Sequence, residues 1–135
     1  AEDSLAIVRG NGEHILLVED EPLIIQATRR MLLSLGYAVQ ATQRPEEALR
    51  LVEQQGDRFQ LVLSDVIMPG MNGPELVKRI RVLYPRMKVL FMSGYTANLL
   101  AEQGVTGPTA RLLQKPFARH ALARAVREAL DTPIP

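Results

Sequence analysis

The chain has no cysteine and no tryptophan, and its aromatic content is only 4%. Without thiols there is no disulfide, no thiolate metal site and no cysteine nucleophile, which fits a reducing, cytoplasmic setting. A dominant charge sign is missing as well. The 16 basic and 15 acidic residues leave a net charge of +1, with no long basic run and no aromatic ladder on which a nucleic acid would bind. Long hydrophobic runs are also absent. The apolar stretches are a few residues each, and nothing ahead of His14 has the charged-then-apolar pattern of a signal peptide, so no membrane contact is expected.

What is present is a 135-residue chain with 47% hydrophobic content, enough for one core and too little for two domains. The first dozen residues, through Arg9-Gly10-Asn11-Gly12, are loosely patterned. We read residues 1–12 as a linker or tail from a longer protein, 13–131 as the domain and 132–135 as a frayed C-terminus.

His14 to Val18 is a continuous apolar run of the kind that makes a parallel strand buried on both faces. Pro22, suited to a first helical turn, opens a helix that runs to Leu35 before Gly36, with Ile24, Ala27, Met31 and Leu35 as its inward stripe and Leu23 and Ile25 beside it. Residues 37–41 form a weaker second strand. The helix after Arg44-Pro45 turns Ala48, Leu49 and Val52 inward. Phe59 to Ser64 is the third strand, and Pro74 opens a helix with the stripe Leu76, Val77, Ile80 and Leu83, broken at Tyr84-Pro85. Residues 87–92 are the fourth strand, 97–103 a short helix, 110–114 the fifth strand and 118–130 the last helix. Five strands alternating with five helices predict an α/β doubly wound parallel sheet covered on both faces.

In such a sheet all strands point their carboxyl ends to one edge, where ligands bind. The residues that follow the strands are Glu19-Asp20-Glu21 after the first, Asp65 after the third, Ser93 after the fourth and Lys115 after the fifth. One polar residue at a strand end is usually just a loop residue; four on one rim argue for a site. Converging acids repel one another unless a cation sits among them. With only oxygen ligands on offer that cation is a hard one, Mg²⁺ first and Mn²⁺ as the alternative. Asp65 and Asp20 are then direct ligands. A carboxylate beside Mg²⁺, Lys115 and the Ser93 hydroxyl is equipped to receive a phosphoryl group, with Asp65 as the nucleophile.

These residues are the ones in which the chain resembles the receiver domain of two-component response regulators. The likeness rests on Glu19-Asp20, on Asp65 with its Met68-Pro69-Gly70-Met71-Asn72-Gly73 loop, on Ser93-Gly94 and on Lys115-Pro116-Phe117, and it spans residues 14–130. It implies a flavodoxin-like sheet of order 2-1-3-4-5, a fold for which a chemotaxis receiver is the standard example. It also implies roles: Asp65 as phosphoacceptor, Asp20 as metal ligand, Glu19 as a second acid acting through water, the Ile67 carbonyl as a further metal ligand, Ser93 and Lys115 as partners of the phosphoryl group, and a cis Lys115–Pro116 bond. The implied partner is a histidine kinase or a histidine phosphotransfer domain, in the same polypeptide or a separate one. The domain would catalyse only its own phosphorylation and slow dephosphorylation.

The chain departs from the family pattern at three positions. Leu112 stands where the family usually has an aromatic switch residue, and we read it as a packing leucine. Gly94-Tyr95 and Leu112 to Phe117 are more similar to receivers at the C-terminus of hybrid histidine kinases. Ile67 and Tyr95, each two residues past a reactive position, are bulky and cannot orient water, so the acyl phosphate is expected to be long-lived. Leu23 and Ile25, beside the acids, read either as part of a docking face for a helical phosphohistidine partner or as ordinary surface residues, and His14 and His120 are structural. Two other functions compete with this reading. A phosphohydrolase of the haloacid dehalogenase type would need an acid where Ile67 stands, and a non-phosphorylated binding module would not need the acid, hydroxyl and lysine set.

Overall fold

The computed structural model describes residues 8–95, 97–102 and 111–134. Residues 1–7 of the expected tail, the expected helix end at Gln103, the expected strand start at Ala110 and the terminal Pro135 lie outside them. The strands are β1 (His14–Val18), β2 (Ala38–Thr42), β3 (Leu61–Asp65), β4 (Lys88–Ser93) and β5 (Leu112–Gln114), and the helices are α1 (Pro22–Ser34), α2 (Pro45–Gln55), α3 (Gly73–Leu83), α4 (Ala97–Glu102) and α5 (Arg119–Asp131). All strand pairs are parallel, and the order is β2-β1-β3-β4-β5, as the alternation and the resemblance predict.

The two faces of the sheet explain why its central strands read as unbroken apolar runs. Successive side chains point to opposite faces. Ile15, Leu17, Leu61, Leu63, Leu90 and Met92 pack under α1 and α5, with Leu32, Leu35, Leu122, Val126 and Leu130. Leu16, Val18, Val62, Val89 and Phe91 pack under α2 and α3, with Ala48, Val52, Leu76, Val77 and Ile80. A fully buried aliphatic side chain of this kind contributes roughly 1.5–3 kcal/mol. The core therefore lies in two layers with the sheet between them.

The buried stripe of α1 differs from the expected one. Ile25, Thr28, Leu32 and Leu35 face the sheet, whereas Ile24 and Met31 are half-buried and Ala27 is exposed. Two apolar stripes one position apart run along this helix, and the polar Thr28 disguised the one that is used. Ile25 is therefore a core residue and not part of a docking face, while Leu23 is 81% exposed. In α3 the buried set is Gly73, Leu76, Val77 and Ile80; Leu83, at the last turn, is exposed. Leu49 of α2 is half-buried beside Ala48 and Val52. The third strand starts later than expected because Gly56–Arg58 forms a 3-10 turn, and Phe59 enters the core from outside the ladder, edge-on to His14.

Local chemistry sets the helix starts at the functional edge. Pro22 and Pro74 occupy first-turn positions, where a missing N–H leaves nothing unsatisfied. The Asn72 side chain accepts from the Glu75 amide at 2.9 Å and caps α3. Among the described residues no helix is long and apolar enough to cross a membrane.

Candidate functional site

Asp65 is the last residue of β3, paired with Met92 of β4, so its backbone is set by the ladder and not by a loop. The chain then leaves the sheet in a constrained path: the Val66 amide donates to Met92 O at 3.1 Å, and the Gly73 amide donates to Val66 O at 2.7 Å. Gly73 is required at that point. A Cβ there would stand 2.4 Å from Asp65 O and 3.0 Å from the Phe91 ring. The Asp65 carboxylate takes a hydrogen bond at Oδ1 from the Val66 amide, at 2.9 Å.

Glu19 and Asp20 follow β1, the neighbouring strand in the sheet. Glu19 is fully buried and Asp20 half-buried. The Glu21 amide donates to Glu19 Oε2 at 3.1 Å, fixing the carboxylate from the turn that opens α1. Carboxylate oxygens of Glu19, Asp20 and Asp65 all lie within 4.8 Å of one another. Lys115, one residue past β5, reaches across to them: its Nζ is 2.7 Å from Glu19 Oε1 and 3.4 Å from Asp65 Oδ1. The Lys115 amide donates to Ser93 O at 2.8 Å, and the Lys115–Pro116 bond is cis, as the resemblance implies.

The electrostatics follow from this crowding. Burial, then the neighbouring Glu19 charge, push the Asp65 carboxyl up to about 6, against the opposing pull of Lys115. Burial alone would lower the Lys115 ammonium, but its hydrogen bond to Glu19 and the charges of Asp65 and Glu19 outweigh that and hold it above the usual lysine value. One lysine faces three acids, so the cluster carries an excess of negative charge in a partly desolvated place. Three oxygen donors with that excess fit a hard divalent cation.

Ser93 ends β4, one residue past the register partner of Asp65. Its Oγ accepts from the Tyr95 amide at 3.0 Å, which leaves the hydroxyl proton available to donate. Ile67 is half-buried against the α2–α3 core layer, and Tyr95 is 50% exposed. Leu112 is half-buried against that same layer, the packing role expected of it. The geometry thus brings Glu19, Asp20, Asp65 and Lys115 into one cluster and sets Ser93 at its edge. It adds two features that the sequence did not reveal. One is Glu19 as the closer partner of Lys115, a contact across 96 positions of chain. The other is an apolar groove of about 540 Å³ beside Lys115, lined by Leu23, Ile24, Ala27, Met31, Pro116 and Phe117. The second apolar stripe of α1, Ile24, Ala27 and Met31, was the available signal for that groove.

The response regulator receiver domain family matches residues 15–127, and the chain belongs to that family: it is a receiver domain of two-component systems. Among curated relatives, it is 38% identical over 117 residues to the sensor kinase CckA of Brucella abortus, covering 87% of this chain and 12% of that protein. It is 36% identical over 129 residues to the response regulator protein FleR of Pseudomonas aeruginosa, covering 89% of this chain and 27% of that one. The chain thus spans a small part of the length of these relatives. The crystal structure of the receiver domain of the hybrid histidine kinase CckA is 35% identical, with a TM-score of 0.74, covering 87% of this chain and 99% of that one. The receiver domain of the sensor histidine kinase PA1611 from Pseudomonas aeruginosa, with a magnesium ion coordinated in its active site cleft, is 31% identical with a TM-score of 0.75, covering 90% and 99%.

Proposed function

We propose that Asp65 accepts a phosphoryl group from a phosphohistidine of a histidine kinase or a histidine phosphotransfer domain, in the same polypeptide or in another. One observation carries this reading: three carboxylates lie within 4.8 Å of one another while Lys115 Nζ stands 3.4 Å from Asp65. In the transfer an Asp65 oxygen forms the new O–P bond as the P–N bond to imidazole breaks, and the imidazole leaves with the electron pair. Glu19, Asp20, Asp65 and the Ile67 carbonyl would hold Mg²⁺, or Mn²⁺ in its place. The bound cation supplies neutralisation of charge on the phosphoryl oxygens. Lys115 pairs with a phosphoryl oxygen and the Ser93 hydroxyl donates to another, both held at strand ends so that little reorganisation is needed.

The groove between α1 and Pro116-Phe117 opens beside Lys115 and suits an apolar helix face that carries the phosphohistidine. The domain then catalyses only its own phosphorylation and slow dephosphorylation, in the cytoplasm. The likeness to the CckA receiver favours a place within a hybrid histidine kinase. A phosphohydrolase is disfavoured, because Ile67 stands where that chemistry needs an acid.

The test is phosphotransfer from a phosphohistidine donor, read by intact mass with Mg²⁺ or EDTA. The expected result is one phosphoryl group on the wild-type chain with Mg²⁺, and none with EDTA or on Asp65→Ala. Labelling of Asp65→Ala to the wild-type extent would sink the assignment.

A further inference from the structure

Residues Arg9 to Glu13, ahead of β1, are laid against the body of the domain. The Gly10 amide donates to Leu35 O at 2.7 Å, the Gly12 amide donates to Gly36 O at 2.8 Å, and Glu13 O accepts from the Ala38 amide at 3.0 Å. Arg9 Nη1 donates to Ser34 O at 3.0 Å. The fit is close enough to dictate residue type at two positions. A Cβ on Gly10 would stand 2.3 Å from the Tyr37 ring. Gly36 has φ +97°, and a Cβ there would meet Gly10 O at 2.8 Å. The Tyr37 ring is itself buried in the core, so it has no room to step aside.

The same segment is fastened to α5. Arg119 donates through Nε to Ser34 Oγ at 2.9 Å and through Nη2 to Ser34 O at 3.3 Å, the carbonyl that also accepts from Arg9. Further along the helix, Arg127 Nη1 pairs with Glu13 Oε2 at 2.9 Å, while its Nη2 holds Asp131 Oδ1 at 2.8 Å. One end of the segment therefore shares an acceptor with α5 and the other is paired with it directly, and α5 itself starts just after Lys115-Pro116-Phe117-Ala118.

We propose that Arg9–Glu13 is a strap integral to the domain, clamped to the α1–β2 turn and coupled in position to α5. A displacement of α5 would strain the Arg119–Ser34 contacts and the Arg127–Glu13 pair together, and through them the seat of the strap. A free tether would have no such dependence. The inference stands on packing and hydrogen bonds, whichever chemistry Asp65 performs.

Residue-resolved amide exchange on the full chain tests it. The Gly10 and Gly12 amides should exchange at least about tenfold more slowly than in an unstructured peptide. Arg119→Ala and Arg127→Ala should each speed those two amides severalfold, with Leu17 and Leu63 in the sheet unchanged. Gly10→Val should abolish the Gly12 protection and lower Tm; if that variant does not fold, the wild-type and arginine measurements decide. Unprotected Gly10 and Gly12 in the wild-type chain would overturn the strap, and protection untouched by either arginine substitution would overturn its coupling to α5.

Discussion

Lys115 lies closer to Glu19, at 2.7 Å, than to the Asp65 it would serve, at 3.4 Å. Glu19 is fully buried, so without this ammonium it would be a desolvated charge beside two further acids. Removing one partner of a buried pair costs about 3–5 kcal/mol, and the partial exposure of Lys115 reduces the expected loss for Lys115→Ala to roughly 2–4 kcal/mol in metal-free buffer. Saturating Mg²⁺ should recover part of it, because a cation among the carboxylates replaces the missing charge. Urea unfolding with EDTA and with Mg²⁺ measures both quantities. A variant as stable as wild type in EDTA would show that the pair contributes nothing.

Asp65 provides a pH-dependent counterpart. Its folded-state pKa is raised to about 6 by burial and the Glu19 charge, above the unfolded value of roughly 3.9. A carboxyl raised on folding takes up protons as the chain folds, so its contribution is most favourable below about pH 4 and is lost as pH rises through about 6. Asp65→Asn keeps the acceptor for the Val66 amide and removes the charge. In EDTA at pH 7.5, about 1.5 units above the upper end of that window, the variant should be more stable than wild type by about 1–3 kcal/mol, with the gap closing toward pH 4. Thermal unfolding at several pH values reads this directly, and a gap that does not vary with pH would contradict it.

The sheet could be read from the sequence because its central strands are apolar on both faces and stop abruptly at polar residues: Val18 before Glu19, Leu63 and Ser64 before Asp65, Met92 before Ser93. Those stops also marked the site, since parallel strands bring their ends to one edge. The rotation of α1 could not be read. Ile24–Ala27–Met31 and Ile25–Thr28–Leu32 have the same helical spacing, and only packing against the sheet decides between them. The Lys115–Glu19 contact was hidden for another reason. It depends on where a long side chain reaches across the sheet edge, which spacing along the chain does not encode.

Ile67 and Tyr95 should prolong the lifetime of a phosphoryl group on Asp65. Ile67 is half-buried against the core layer and Tyr95 is half-exposed, and neither carries a side-chain acid or amide to align an attacking water. Replacing them with groups that can orient water, Ile67→Asn with Tyr95→Glu, should speed decay of the acyl phosphate by on the order of tenfold or more. Decay is followed by loss of the phosphoryl mass after removal of the donor. Equal rates in variant and wild type would mean that both side chains serve only to pack the loops.

Gly73 ties the start of α3 to Asp65 through close backbone contacts. A Cβ there would meet the Asp65 carbonyl at 2.4 Å, and its own amide already holds Val66 O at 2.7 Å. Neither neighbour is the loose end of a side chain: one is backbone of a buried strand and the other lies on the turn that leaves it. Gly73→Ala must therefore shift either the end of β3 or the first turn of α3, at a cost of about 2–4 kcal/mol. A shift of the strand end displaces the Asp65 carboxylate from Glu19, Asp20 and Lys115, so Mg²⁺ affinity should fall together with stability. Gly70→Ala is the control. It sits in the same turn with φ +86°, yet a Cβ there would approach only Glu46 Oε2, at 3.2 Å, so it should lose stability while leaving Mg²⁺ affinity nearly unchanged. Calorimetric Mg²⁺ titration of the two variants separates the effects. Equal affinity for Mg²⁺ in Gly73→Ala and wild type would show that the strand end holds Asp65 in place against the strain.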